Sequence, residues 1–518
     1  MKRLLSLVLA AIMLTALIPA MAGAEAPLEI TLALSEASLQ PILQDTANIK
    51  FIQEKFNIHI NLQPIPQSDY SAKVATFFST NDLPDILAGA SLSTFQGVED
   101  VDEMLVDLYD YRECLPTYFG LIEADDRAAA TKTYETTEED GSKSLYLMRD
   151  LEYNRIDIAP IGQIRLDLLE EQNIPMPKDW DELYVAMLKI KEKHPEVTFF
   201  SSRGGTNRLI GSLAYPMGSG GFGTFDSTRG MYYEKDTDKW TYGPVQEAFK
   251  PVIEYLANAW KDGLVDPDYA TCTRDELWEK ITTGKVAYFK DNNSFLARVF
   301  QPAFDQAGQG WKMVIVPPLA NKVTSTRELR YERDWSDGLV ISKKCPEVER
   351  VLQMLDWCFT EEGLKVMNFG IEGETYYIDD EGHPMVVDSI LEQTKDAVDQ
   401  FNAIQSVLGV GCWAWTPYID EGTYLQTSGQ LFIDLGEEIR GYTEAGLIDF
   451  KPLVPSFTTE ENEKVAELEL RLTTIFDSQI DAFITGARSM DEWDSLVNEL
   501  NANGVAELEE IFNTAYKR

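Results

Sequence analysis

The sequence predicts an α/β protein built of layers, with a largely parallel sheet in more than one core-sized unit. Short apolar strands alternate with amphipathic helices over most of the length, a pattern that gives β-α-β crossovers. At 518 residues the chain is too long for a single core. It also carries no repeat of fixed period and no low-complexity tract that would suggest another architecture.

The chain opens MKRLLSLVLAAIMLTALIPAMAGAEA. Two basic residues, an apolar run from Leu4 to Ile18, a proline and the small triplet Ala22-Gly23-Ala24 read as a secretory signal cleaved near Ala24. A membrane anchor is the alternative, but the run falls short of the ~20 residues a span needs. The elements then follow in order. "LEITLALSE" and "FNIHINLQPIP" read as strands flanking a helical "LQDTANIKFIQEKF", and "DLPDILAGAS" is a short strand ending in small residues. Asp179 with Glu182 resembles a capping box before "WDELYVAMLKIKEK", whose Trp180, Leu183, Met187 and Ile190 share a face. "VTFFSS", "KVAYFK", "KMVIVPP" and "GLVISKK" are further strands. Thr458 with Glu461, and Ser489 with Glu492, repeat the helix-start signal near the C-terminus.

Charge narrows the function. The 45 Lys and Arg face 86 Asp and Glu, a net −41. Removing residues 1–24 takes away two cations and no acid, leaving −43. A field of that sign repels nucleic acid and anionic lipid. Five cysteines (114, 272, 345, 358, 412) cannot all pair internally, and no C-x-x-C offers a zinc or redox site. Cys358 shares a helical face with Val351 and Leu355 and reads as a buried thiol.

Catalytic motifs are scarce. "GSGGFG" (218–223) has the spacing of a dinucleotide fingerprint, but no periodic helix follows it, and a flexible loop is the expectation. His59 in a strand, His194 at a helix end and His383 in a turn are too scattered for a catalytic metal. "DTDKW" lacks the later acceptors of a calcium loop. Paired carboxylates for glycoside hydrolysis are conceivable in so acidic a chain, yet nothing singles out a pair. No catalytic residue, metal or cofactor is therefore assigned. What the chain displays is aromatic residues beside Gly, Pro, Asp and Asn: Trp335 with Asp337 in "RDWSDG", Tyr376 in "EGETYY", Trp413 and Trp415 in "GVGCWAWTPY", and Phe457 in "VPSFTT". Flat rings pack on the C–H faces of sugars, and ligand sites combine apolar walls with a few placed polar groups.

Several segments resemble one family. "GQIRLDLLEEQNIPMPKDWDEL" (162–183) is similar to the crossover segment of family 1 extracellular solute-binding proteins. "TNDLPDILAG" (80–89) and "TTGKVAYFKDNNSF" (282–295) are similar to two of its strands. "DGLVISKKCPEVERVLQMLDW", "NFGIEGETYY" (368–377) and the C-terminal "QIDAFITGARSMDEWDSLVNELNANGVAELEEIFNTAYKR" resemble its larger, polysaccharide-linked subgroup. The resemblance implies a type II periplasmic-binding-protein fold: two α/β lobes, each a mostly parallel sheet flanked by helices, with the ligand cleft between them. With the signal at 1–24, lobe 1 would take 25–158 plus 318–377 and lobe 2 would take 159–317 plus 378–518. The function implied is the binding component of an ABC importer, monomeric and exported, that holds an oligosaccharide and delivers it to membrane permease subunits. Rival readings are a secreted carbohydrate-active hydrolase and a receptor for a peptide or uronate oligomer; for the uronate, Arg165 alone is a thin supply of cations.

In open α/β sheets ligands bind beyond the carboxyl ends of strands. That rule selects Ser91 and Ser93 after "PDILAGA", and Asp291 and Asn293 after "KVAYFK". The resemblance adds Phe295 as a sugar-stacking ring, Arg165 in the Ile-Arg-x-Asp crossover motif and Phe457 before a long helix. It places Trp413 and Trp415 in an insertion, roughly 378–450, where they either wall the cleft or pack beneath the insertion. Residues 1–30 lack the cysteine that many relatives lipidate, and "KHPEVTFF" stands where some carry a calcium loop, so neither a lipid anchor nor that metal is expected.

Overall fold

The computed structural model of the protein describes residues 26–518 apart from 96–97, 124–134, 138–140, 150–158, 223–228, 332–336, 381, 411–420 and 452–453. The signal expected at residues 1–24, with its expected cleavage near Ala24, lies outside the described residues.

The first half begins as the sequence predicts. Strand β1 (Leu28–Glu36) leads to helix α1 (Ala47–Phe56), whose N-cap Thr46 accepts from the Ile49 amide, and Asn57 in the left-handed region (φ 50°) closes it. Strand β2 (Ile58–Pro66), helix α2 (Tyr70–Thr80) and strand β3 (Ile86–Ser91) follow. A short β4 (Met148–Arg149) precedes β5 (Pro160–Arg165), where the second half begins. That half contains α3 (Trp180–Lys193), α4 (Gly205–Ala214), α5 (Arg274–Thr282), β6 (Tyr288–Asn292) and β7 (Met313–Ile315). The chain returns through β8 (Asp337–Ile341) and α6 (Val348–Trp357). It then runs through α7 (Gln400–Leu408), α8 (Thr459–Ile484), α9 (Trp493–Ala502) and α10 (Val505–Tyr516).

Two sheets organise these elements. The first has the order β2-β1-β3-β8-β4, with β1, β2 and β3 parallel and β8 antiparallel to β3. It buries Leu32, Ile60, Ile86 and Val340 against α1 and α6. The second differs from expectation. Its strands run β6-β5-β7, and β5 is antiparallel to both neighbours. Parallel pairing involving this half is confined, among the described residues, to the bridges Thr198–Val286, Phe200–Val265 and Asp179–Ala320 and the two-stranded pair of Glu328–Tyr331 with Ile448–Lys451. The reason is the path of the chain: β5 carries it into the second half and β7 leads it back, so the two run oppositely. The faces of β5 split the apolar interior. Ile161 joins Phe289, Phe300, Phe304 and Phe432, while Ile164 joins Leu183, Ile190, Leu468 and Phe476.

Local signals hold in the helices. Trp180, Leu183, Met187 and Ile190 are all buried. Asp179 caps α3 by accepting from Glu182 N at 2.8 Å, and Thr458 with Glu461 forms a complete capping box on α8. Ser489, however, caps a short 3-10 turn through Asp491 N, one turn ahead of α9. "GSGGFG" is not an open loop over its described part. Ser219 and Phe222 are buried, Phe222 stacks on Phe476 at 5.0 Å, and Gly221 at φ +108° lies where a Cβ would meet the Gly230 carbonyl at 2.5 Å.

Cys114, Cys272, Cys345 and Cys358 are free thiols. Burial pushes Cys345 and Cys358 up to about 12, so both are protonated at neutral pH. Since the thiolate is the reactive form, a thiol reagent applied to native protein at about pH 8 is expected to leave both unmodified. Half-buried Cys114 should react ahead of them. Rapid native-state labelling of Cys358 would contradict the packing described for α6.

Candidate functional site

The carboxyl end of β6 gathers the most charge chemistry. Strand alternation turns Tyr288 into one core and Phe289 into the other. Asp291, 1% exposed, meets two arginines from the turn that opens α4. Arg203 donates to it through Nε at 2.6 Å and Nη2 at 3.0 Å, and Arg208 through Nη2 at 3.4 Å. The Asn292 amide adds a bond at 2.8 Å. Burial alone would push the Asp291 carboxyl up; the two guanidinium charges overcome it and hold the carboxyl below its ordinary range.

Beyond β6 the chain turns helical, with a π stretch over Leu296–Phe300, a distortion that recurs at functional sites. It presents Phe295, whose ring meets Trp278 at 5.0 Å and lies under the Arg203 guanidinium at 5.3 Å. On the other side of Trp278, Arg274 sits over the indole at 5.3 Å and donates to Ser38 Oγ at 3.0 Å, while Ser38 Oγ donates to Asp275 at 2.6 Å. Ser38 follows β1, so this chain of contacts carries the Asp291 group to a point where the two halves touch. A second such point is Ser456 Oγ donating to the Glu135 carbonyl at 2.6 Å. Arg298 grips Asp399 at 2.6 Å and covers Phe401 at 4.4 Å.

The structure brings Asp291, Asn293 and Phe295 together. Asn293 is fully buried: its Oδ1 accepts from the Ala159 amide at 2.9 Å, which fixes the start of β5. Ser91 ends β3 opposite Asp337 of β8, and its amide donates to Thr94 Oγ1 at 2.8 Å. Ser93 begins no strand; it lies in the short helix Leu92–Phe95. Arg165 is elsewhere. Because β5 and β6 are antiparallel, Asn292 pairs with Pro160 and Arg165 stands five residues along, roughly 16 Å away. There Arg165 is buried, held bidentately by Asp167 at 2.8 and 2.6 Å and covered by Trp311 at 4.2 Å. Tyr376 and Phe457 are each 3% exposed, against Phe369 at 5.8 Å and Phe512 at 4.9 Å, so their rings serve cores. Trp335, Trp413 and Trp415 lie outside the described residues, as does the side chain of Asp337.

Sequence reasoning missed Arg203, Arg208, Arg274 and Trp278. A signal existed for the first two: "SSRGGTNR" follows the strand-like "VTFFSS". The carboxyl-end rule that selects Asp291 also reaches Arg203.

Residues 161–365, which hold this cluster apart from Ser38 and Asp399, match the model of the bacterial extracellular solute-binding protein family. The polygalacturonan/rhamnogalacturonan-binding protein YtcQ of Bacillus subtilis (strain 168) is 20% identical to the chain over 371 residues, 68% of this chain and 67% of that one. The crystal structure of alginate-binding protein AlgQ2 without calcium ion covers 95% of this chain and 99% of its own at TM-score 0.77 and 18% identity. A human-milk-oligosaccharide (HMO) binding, ABC-transporter-associated solute-binding protein from Bifidobacterium longum infantis covers 95% and 99% at TM-score 0.71 and 12% identity. FusA of S. pneumoniae, solved with kestose, covers 94% and 99% at TM-score 0.69 and 16% identity. The protein thus has the two-lobed fold of solute-binding proteins along nearly its whole described length.

Proposed function

We propose that the protein is the exported substrate-binding component of an ABC importer, and that it holds an oligosaccharide between its lobes without transforming it. The observation that carries this reading is the likeness of fold over 95% of the chain to AlgQ2. A charged and aromatic cluster where the two halves touch supports it. Relatives named for alginate, polygalacturonan, milk oligosaccharides and kestose support the sugar class. We assign lobe 1 to 25–158 plus 318–377 and lobe 2 to 159–317 plus 378–518, and take the working form to be a monomer that docks on permease subunits. Residues 378–410 would then bridge the lobes, since Gln405 accepts from Gln40 at 3.0 Å while Asp399 holds Arg298. Trp413 and Trp415 are proposed as the stacking surface. Lobes hinged by crossing strands close on what they bind. Scattering should therefore show compaction at saturating oligosaccharide, and chromatography after long incubation should return the sugar intact. An unchanged profile, or product in excess of protein, would sink the reading.

A further inference from the structure

Helix α7, nine residues long, is fastened at its two ends to different halves. Its first turn belongs with the second half. Arg298 donates to Asp399 at 2.6 Å and to Asn402 Oδ1 at 3.1 Å, and Phe401 is buried with Phe289, Phe300 and Phe432. Its last turn meets the first half. Gln40 Nε2 donates to Gln405 Oε1 at 3.0 Å, and both residues are buried. Gly409, the C-cap of α7 at φ 79°, seats on Thr46, the N-cap of α1, so closely that a Cβ would collide with the threonine side chain. The negative end of one helix dipole thus abuts the positive end of another. Gln40 and Thr46 follow the carboxyl end of β1, the side on which open α/β sheets take ligands.

The two ends differ in strength. Charge-assisted bonds hold the second-half end, and such bonds are roughly twice as strong as neutral ones. The first-half end has a neutral amide bond and a flaw. Ser406 is buried and its hydroxyl has no hydrogen-bond partner; with Leu34, Pro41, Ile49 and Leu62 it lines an apolar hollow. An unsatisfied buried hydroxyl costs free energy that hydration recovers once the surfaces part. We propose that α7 is a releasable clasp at the cleft rim. It travels with the second half, carrying the cluster of Val386, Ile390, Ile404, Leu408 and Val410, and docks on α1 to hold the halves in their present arrangement. Without ligand the clasp opens at Gln40 and Thr46, and the halves exchange between two separations. Ser406 keeps the docked state from being permanent. Resting on the receptor reading above, the clasp sets the fraction of protein already closed, and apparent affinity scales with that fraction.

The test uses the full chain without ligand, with dyes on unnatural residues at exposed Glu54 of α1 and Lys189 of α3, read by single-molecule energy transfer. Gln40→Glu with Gln405→Glu sets two carboxylates where an amide bond stood, and like charges that close cannot both stay ionised and buried. At neutral pH the separated species should become the major one. Gln40→Lys with Gln405→Glu should restore the parent distribution, a rescue that damage to the fold would not permit. Gln405→Ala, the milder variant, should raise the ratio of separated to docked molecules roughly tenfold, and adding Ser406→Ala should bring it back by about threefold to tenfold. The clasp is overturned if the double-Glu protein keeps the parent's distances, or if the Lys–Glu protein separates as widely as the double-Glu one. Should the double-Glu protein not fold, an unchanged ratio in Gln405→Ala overturns it equally. An oligosaccharide that binds the parent should bind the separated variant more weakly, by the factor that the populations give. If the populations shift as expected and no oligosaccharide binds, the receptor reading falls and the clasp stands.

Discussion

An Asp291→Ala protein is expected to melt on the order of 10 °C below its parent. Asp291 is 1% exposed and holds two arginines that are themselves largely covered. Taking away one member of a buried ion cluster leaves the others desolvated without compensation, which costs about 3–5 kcal/mol. Asp291→Asn keeps a hydrogen-bonding group but not the charge and should fall between. The effect also has a pH signature. The folded carboxyl titrates below its ordinary range. Its stabilising contribution is therefore present in full above the unfolded value of about 3.9 and disappears as pH falls through the lower folded value. Parent and Asp291→Asn should accordingly differ by a constant amount above about pH 4 and converge as pH falls below it. Parallel stability curves across that range would mean that Asp291 is not the ionised centre of the cluster.

This cluster also marks how far the sequence could be read. Asp291 was legible because strand ends are local features, signalled by "KVAYFK" running into "DNNSF". The helix starts at Asp179 and Thr458 were legible for the same reason: a cap involves residues three apart. What joins Arg203 to Asp291 is long-range. The bridge Thr198–Val286 lays two segments 88 residues apart side by side, and no local pattern announces that pairing. Register explains Arg165 as well. Its crossover motif suggests a place close to the cleft, but only the antiparallel pairing of β5 with β6 shows that Arg165 stands at the end of β5 remote from Asn292. Tyr376 and Phe457 stand beside glycine, proline and acidic residues, the composition of exposed loops, and yet both rings turn inward onto Phe369 and Phe512. Composition locates a loop without saying which way a side chain in it points.

The second large effect is expected at Asp399, far from any strand end. Asp399 is 1% exposed and has two roles. It caps α7 by accepting from Asn402 N at 3.2 Å, and it holds Arg298, whose side chain is 8% exposed and lies over Phe401. Asp399→Ala removes both the cap, about 1 kcal/mol, and the partner of a buried cation, about 3–5 kcal/mol. The two share one carboxylate and do not add fully, so a loss on the order of 4 kcal/mol is expected. Asp399→Asn should recover most of the cap and little of the ion pair. The loss should also be localised. Val386, Ile390, Ile404, Leu408 and Val410 form a small cluster of their own. Its attachments include Arg298, which donates to Asp399 and also to Asn402 Oδ1 at 3.1 Å, the strand pairing of Pro384–Val386 with Tyr376–Ile378, Gln40, and the tight seat of Gly409, where a Cβ would meet Thr46 Oγ1 at 2.0 Å. With the Arg298 tether cut, amide exchange should accelerate from Ile390 to Val410 before it does in β1 or α3, because small satellite clusters open at lower free energy than main cores. Uniform acceleration across the chain would show instead that Asp399 stabilises the second half as a whole. An unchanged melting temperature would remove the ion pair from any account of what holds residues 384–410 against both halves.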